Sequence, residues 1–344
     1  MLDIDRFPLG SSGLFITKVG LGAWALGGAG WAWSWGPQDD DVSIATIHRA
    51  VELGINWIDT AAEYGLGHSE EIVGRAVAAL SPAERPHIFT KCGMVWDPSD
   101  RMIEARPIAT AESVRSECEA SLRRLGVDCI DLYQVHWPPE SGSPVEEYWE
   151  TLVALRAEGK IRAAGLSNHD VSQLSRAEVV GHVDSLQPPF SLIDRAAAED
   201  VIPWCHHHST GVIVYSPLHS GLLTGRFDAQ RMTTLPTDDW RLRSPDFTDH
   251  LSANLELASG VLEVAEELGT TASAVAVAWV LAWAGVTGAI VGARSPAQLD
   301  AWIGAGELHL APEVQDRLAV MITDSGAGRG PLRPPEPGLH PASR

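Results

Sequence analysis

In the stretch Trp57-Ile58-Asp59-Thr60-Ala61-Ala62-Glu63-Tyr64-Gly65, a short apolar run ends on a carboxylate, and a phenol follows five residues later at a glycine turn. Two further segments repeat this plan, an apolar run closed by one chemistry-bearing residue: 88–90 leads into Lys91, and 130–135 leads into His136. Helix-period stretches separate the three. Residues at the C-terminal ends of parallel barrel strands converge on one face. Asp59, Tyr64, Lys91 and His136 are therefore expected to meet as a catalytic set.

Working outward, strand-like runs fall at 19–21, 57–58, 88–90, 130–135, 161–166, 185–186, 212–215 and 289–291, a full (β/α)8 complement. Helical periodicity lies between them at 42–53, 70–80, 111–125, 145–158, 172–179, 198–207 and 296–302. More helices are expected at 255–268, 272–283 and 312–323. Ser69 ahead of Glu70-Glu71 reads as a helix start, and Gly126 and Gly159 as helix ends. Phe7-Pro8-Leu9-Gly10 and Leu14-Phe15-Ile16 flank a turn, which suggests a hairpin closing the barrel bottom. The interval 218–251, with turn formers, Trp240 and arginines, reads as an elaborated loop on the active face. The expected fold class is α/β: a (β/α)8 TIM barrel with an N-terminal hairpin and extra C-terminal helices, one domain over 1–324, and a mobile Gly/Pro-rich tail over 325–344.

A chain of 344 residues with 45% hydrophobic content can bury such a core. Its formal charge of −20 argues against nucleic acid and anionic membranes as partners, because both attract basic surfaces. The partner class is a small molecule, and the assembly a monomer or small homo-oligomer. Cys92, Cys118, Cys129 and Cys205 lack metal-ligand spacing, so no metal is expected and a reducing cytoplasm is the simplest setting. The N-terminus is no signal peptide, and the apolar run at 272–285 is too short for a membrane span. His206-His207-His208 reads as a solvated helix end, since consecutive helical residues point in different directions.

A phenol titrates near pH 10 in free peptides, so a tyrosine serving as an acid at neutral pH needs a cation that stabilises its phenolate. Lys91 can supply it, with Asp59 as the ammonium's counter-ion. His136 would hydrogen-bond and orient a substrate oxygen. The competing reading is a surface ion pair near a tyrosine, with His136 a buried, backbone-bonded histidine. Cys92, beside Lys91, would have a lowered pKa if it felt that charge; the alternative is an inert barrel-wall thiol.

Asp59-Thr60-Ala61-Ala62-Glu63-Tyr64-Gly65, Thr90-Lys91 and Gln134-Val135-His136-Trp137-Pro138 resemble the three motifs that carry the Asp/Tyr/Lys/His tetrad of the aldo-keto reductase superfamily, with matching order and spacing over about 7–323. The resemblance implies a nicotinamide cofactor, NADP(H) with NAD(H) as alternative. Matching positions imply that Gly22, Ala23, Trp24 and Asp59 border it, and that Ser167, Asn168 and Gln187 bond the carboxamide. Tyr215 would stack beneath the ring, its competing role being barrel packing. Ser216, Pro217, Leu218, Ser220, Gly221, Leu222 and Arg226 would surround the pyrophosphate. Gly292, Arg294 and Gln298 would face the adenosine end, where Arg294 could pair with a 2′-phosphate or simply lie in solvent. The chain departs from the family pattern at Ala301-Trp302, where members carry Glu-Asn against adenine. Trp302 would either stack there or pack its helix.

Trp24, Trp31, Trp33 and Trp35 crowd a Gly-rich loop that lines the substrate mouth in related proteins. Trp24, Trp33, Trp96 and Trp137, with Tyr64 and His136, are the expected substrate contacts, although many tryptophans simply pack. Together these residues imply reduction of an aldehyde or ketone, possible substrates including sugars and aromatic carbonyls, with hydride from the cofactor and a proton from Tyr64. The alternatives are an aldose or alcohol dehydrogenase running in reverse, and a slow-turnover cofactor sensor like the potassium-channel β subunits, which keep the tetrad. A cofactor-free barrel isomerase accounts least for the cofactor-like segments.

Overall fold

Short apolar strands followed by amphipathic helices can bury both faces by closing into a barrel with the helices outside. In the computed structural model, which describes residues 4–139, 142–237 and 239–334, they do so. The hairpin comprises β1 (Arg6–Pro8) and β2 (Phe15–Thr17). The barrel opens with β3 (Val19–Gly22), β4 (Trp57–Asp59) and β5 (His87–Cys92). A small antiparallel pair follows, β6 (Met94–Val95) with β7 (Arg106–Pro107). The barrel then resumes with β8 (Ile130–Val135), β9 (Ile161–Ser167), β10 (Ser185–Gln187), β11 (Gly211–Val214) and β12 (Val286–Gly292). The closed order is β10-β11-β12-β3-β4-β5-β8-β9.

The barrel interior explains several residue choices. Trp57, Phe89, Leu132, Ala163, Ile213 and Ile290 point into it, and Leu9, Leu14 and Ile16 from the hairpin plug its base. A Cβ on Gly20 would lie 2.2 Å from the Trp57 indole, so the strand beside that ring must carry glycine. Fully buried side chains such as Leu9, Ile16 and Phe89 contribute about 1.5–3 kcal/mol each relative to exposure. The hairpin is pinned by Ser11 N–H donating to Ser209 O at 3.0 Å.

The helices occupy the expected intervals. Ala111–Leu125 runs from a Thr110 N-cap to Gly126 in the left-handed region at φ 67°. The helix read at 70–80 is corrected: it is His68–Ala78 with Gly67 as N-cap. Ser69 lies inside it and donates to Ala23 O at 2.9 Å, a tertiary bond in place of a cap. The helix at 296–302 shortens to Pro296–Leu299, and the interval 218–251 holds short turns and the helix Ala229–Thr234.

Within the expected tail, residues 326–334 make packing contacts with the barrel domain. Gly328 sits against Ile193 O so closely that a Cβ would lie 1.6 Å from it, and the buried Arg195 guanidinium donates to Ala327 O at 3.2 Å. The rest of that expected tail, 335–344, lies outside the described residues. Among the described residues no single helix is long and apolar enough to cross a membrane. Leu251–Glu267 and Ala272–Leu281 approach that length only as a pair bent by 97°.

Candidate active site

A strand's side chains alternate between faces, so two residues beyond each barrel-filling hydrophobe the same inward column continues. Trp57 leads to Asp59, Phe89 to Lys91, Leu132 to Gln134 and on to His136, and Ile213 to Tyr215. Each column is apolar at the base and polar at the top. This places the residues expected from sequence on one floor.

Lys91 Nζ donates to Asp59 Oδ1 at 2.5 Å and to Thr60 O at 2.9 Å, and it lies 3.4 Å from the Tyr64 hydroxyl. Burial pushes Asp59 up and Lys91 down, each opposed by the other's charge. Burial, with the Asp59 and Glu63 carboxylates adding, holds the Tyr64 phenol well above its usual value. That is opposite to the acidifying influence expected of Lys91. The phenol is thus kept protonated, with the ammonium positioned to meet any phenolate that forms. His136 Nδ1 lies 3.5 Å from Glu63 Oε2, and burial, reinforced by Lys91, pushes the imidazole well below its ordinary pKa.

Backbone contacts hold Tyr64 in place. A Cβ on Gly65, at φ 63°, would lie 2.2 Å from Gly27 O, so the turn after β4 can press on the Trp24–Gly27 turn only as glycine. The contact stacks Trp24 on Tyr64 with ring centroids 6.1 Å apart. Asp59 O accepts from Ala23 N–H at 2.8 Å, and Gly22 pairs with Asp59 across the barrel seam.

The amide set forms its own network. Gln187 Nε2 donates to Asp59 Oδ2 at 2.8 Å, Ser167 Oγ donates to Gln187 O, Asn168 Nδ2 donates to His136 O, and Tyr215 Oη donates to Asn168 Oδ1 at 2.8 Å. The Tyr215 ring also borders a cavity of about 140 Å³ that includes Ser216, His219 and Ser220, while Ser167, Asn168 and Gln187 lie outside its lining. Past Pro217 and Leu218, His219, Ser220 and Gly221 all have positive φ, and nothing lies within 4 Å of a Cβ built on Gly221. Such turned backbone is a shape that receives phosphate. Leu222 is core, and Arg226 is exposed. Gly292 is exposed at the end of β12. The residues fit a dinucleotide along this rim.

At the adenosine end the side chains are engaged within the chain. Arg294 Nε donates to Gln38 Oε1 at 3.0 Å, its guanidinium also bonds Pro37 O, and its backbone N–H donates to Gln298 Oε1 at 2.7 Å. Arg294 is therefore half-buried against the loop after β3, with Arg241 as a second nearby cation. Trp302 is buried in the core, so the packing alternative holds and adenine stacking does not.

The tryptophan cluster differs from the expected set. Trp24, Trp33 and Trp35 surround Trp240, with centroids 5.7, 6.0 and 5.5 Å from it. Trp31 is buried and donates to Gly28 O. Trp96 is half-buried and Trp137 is exposed; among the described residues neither makes a ring contact with the cluster. Trp33→Ala is expected to raise KM for aromatic carbonyls about two- to tenfold, the scale of one aromatic pair, and to leave small carbonyls unchanged. Steady-state kinetics on one carbonyl of each size checks this.

Sequence reading gave no site role to four groups that the fold brings in. Glu70 is fully buried, accepting from Thr90 Oγ1 and Arg124 Nε, both at 2.6 Å. Gln134, Glu63 and Trp240 complete the list; the inward column through Leu132 would have revealed Gln134. The Cys92 thiol is pushed well up by burial, with Glu117 adding, and is the barrel-wall thiol of the alternative. His206 to His208 form the exposed last turn of Val201–His208, and no metal-binding cluster occurs among the described residues.

Residues 18–322 match the profile of the Aldo/keto reductase family. The chain is 36% identical over 303 residues to aldo-keto reductase YhdN of Bacillus subtilis, covering 87% of each. It is 41% identical over 232 residues to the NADH-specific methylglyoxal reductase of Escherichia coli, covering 64% of this chain and 70% of that one. Among solved structures, glycerol dehydrogenase AKR11B4 from Gluconobacter oxydans superposes with TM-score 0.85 at 36% identity, covering 96% of this chain and 98% of that chain. Aldo-keto reductase AKR11C1 from Bacillus halodurans, at 24% identity and TM-score 0.74 over 92% and 96%, shares the fold. The family match spans the barrel and every strand end described above, and the chain belongs to the aldo/keto reductase family of oxidoreductases.

Proposed function

We propose that this protein reduces a small aldehyde or ketone to an alcohol, with NADPH as preferred cofactor and NADH accepted. The observation that carries this reading is Lys91 Nζ, set between Asp59 Oδ1 and the Tyr64 hydroxyl on the same floor as His136. When bound, the nicotinamide supplies hydride to the carbonyl carbon. Tyr64 delivers the proton to the carbonyl oxygen, and Lys91 stabilises the phenolate left behind. Asp59 keeps Lys91 charged in a site that would otherwise strip it of its proton. His136 orients the oxygen. Ser167, Asn168, Gln187 and Tyr215 would hold the cofactor's ring end, and the turn at 216–222 with Arg226 its phosphates.

Arg294 favours NADPH, because freeing it from Gln38 would present a guanidinium to a 2′-phosphate. The NADH-specific relative supports NADH as the alternative. The oxidative direction uses the same groups and is favoured by the relative named a glycerol dehydrogenase. The test is consumption of NADPH and of NADH over methylglyoxal, sugars, aromatic aldehydes and ketones, with oxidation of glycerol run alongside. Faster turnover with NADPH on a carbonyl is expected. Cofactor binding without turnover in either direction would overturn the assignment.

A further inference from the structure

We propose that Glu63 acts through the Nδ1 of His136 as a positioning residue, setting which ring nitrogen carries the proton and thereby whether Nε2 can donate to the substrate oxygen. The inference rests on the reading that His136 faces the substrate oxygen, and it adds a residue outside the tetrad.

Both partners are buried: Glu63 is 7% exposed and His136 8%. The Glu63 carboxylate lies 3.5 Å from Nδ1, leaving Nε2 as the nitrogen available to a substrate. The charged and titratable groups around them are Lys91 from β5, Tyr64 beside Glu63 and Glu104 from the segment between β6 and β7. Lys91 is spent on Asp59 and Thr60 O, so it does not serve as a dedicated counter-ion for Glu63. Burial therefore dominates and raises the Glu63 carboxyl to about 7, with Lys91 opposing and Glu104 adding. Burial keeps His136 neutral in the same range.

A neutral imidazole has one N–H, and its partner selects where that N–H sits. Protonated Glu63 donates O–H to Nδ1, which places the ring proton on Nε2, a donor suited to a carbonyl oxygen. Ionised Glu63 accepts from Nδ1–H, which leaves a lone pair on Nε2 and no donor for the substrate oxygen, while the single O–H hydrogen of an alcohol is committed to Tyr64. Acid thus supports turnover in both directions and base suppresses it, with the changeover near neutrality. Glu63 consumes no proton in turnover, since the one completing the alcohol comes from Tyr64. The Tyr64 phenol, held above its ordinary value, titrates well clear of this changeover.

The experiment is 15N NMR of histidine-labelled whole protein from pH 5.5 to 8.5, with the His136 signals assigned by their loss in His136→Asn. Reductive and oxidative kcat/KM are measured over the same pH range. In the unmodified protein the His136 tautomer is expected to change with a midpoint near 7, and reductive kcat/KM to fall about tenfold from pH 6 to pH 8. In Glu63→Gln the tautomer should stay constant and reductive kcat/KM should vary by less than about twofold. Melting temperatures and cofactor-binding fluorescence verify that the variant is folded. A pH-independent tautomer in the unmodified protein, or an unaltered pH profile in Glu63→Gln, overturns the proposal. The NMR arm needs no turnover. A constant tautomer alongside a Tyr64→Phe variant without activity sinks only the Glu63 inference, whereas full activity in Tyr64→Phe sinks the mechanism on which it rests.

Discussion

Tyr64→Phe is expected to lower reductive kcat/KM by about 10²- to 10⁴-fold, the usual contribution of a positioned general acid, while cofactor affinity stays within about twofold. The substitution removes one oxygen and keeps the ring that stacks on Trp24 at 6.1 Å, so the aromatic wall survives. Lys91 and Asp59 retain each other, because their 2.5 Å bond does not involve the phenol. The loss should therefore fall on kcat. Stopped-flow hydride transfer together with cofactor fluorescence titration separates the two quantities. A variant retaining more than about a tenth of the activity would show that the proton comes from another group.

Lys91→Met should be strongly destabilising. The side chains are of similar size, so packing changes little, but Asp59, 2% exposed, loses the cation that opposes its burial. Breaking a buried ion pair from one side costs about 3–5 kcal/mol. The pH dependence follows from the raised Asp59 pKa. A carboxyl whose folded-state value exceeds its unfolded value contributes its full stability below the unfolded value, near 3.9, and loses it as pH rises through the folded value. The deficit should accordingly be small in acid and widen toward pH 8. Urea unfolding at several pH values measures it. The double variant Asp59→Asn/Lys91→Met should recover much of the stability and none of the turnover, separating the fold's need for the pair from that of the chemistry. An unfolding free energy at pH 8 within about 1 kcal/mol of the unmodified protein would mean that Asp59 is neutral even beside Lys91.

Most of the architecture was legible because it rests on local rules. The strand expected at 130–135 and the helix at 111–125 match β8 and Ala111–Leu125, since apolar runs and left-handed glycine ends are written in consecutive residues. Ser69 was misread because a serine before two acids satisfies the capping rule, yet its hydroxyl found a better tertiary acceptor in Ala23 O. The segment after 325 looked mobile because glycine and proline form no periodic element. Ile193 and Arg195, more than a hundred residues away, supply contacts to Ala327 and Gly328.

The four tetrad residues could be read from sequence because each stands at the end of its own apolar run, and strand periodicity forces each onto the inner face. Their partners could not. Gln187 reaches Asp59 across 128 positions and Gln38 reaches Arg294 across 256, so no local pattern connects them. Trp240 became the hub of the tryptophan wall only when its loop folded over the strand ends. Glu63 looks like a spacer before Tyr64 until the barrel closes and sets it 3.5 Å from His136. Consecutive residues thus specify which groups line the top of the barrel, through a period of two that any strand must obey. Closure specifies which of those groups are buried together, and burial sets their protonation.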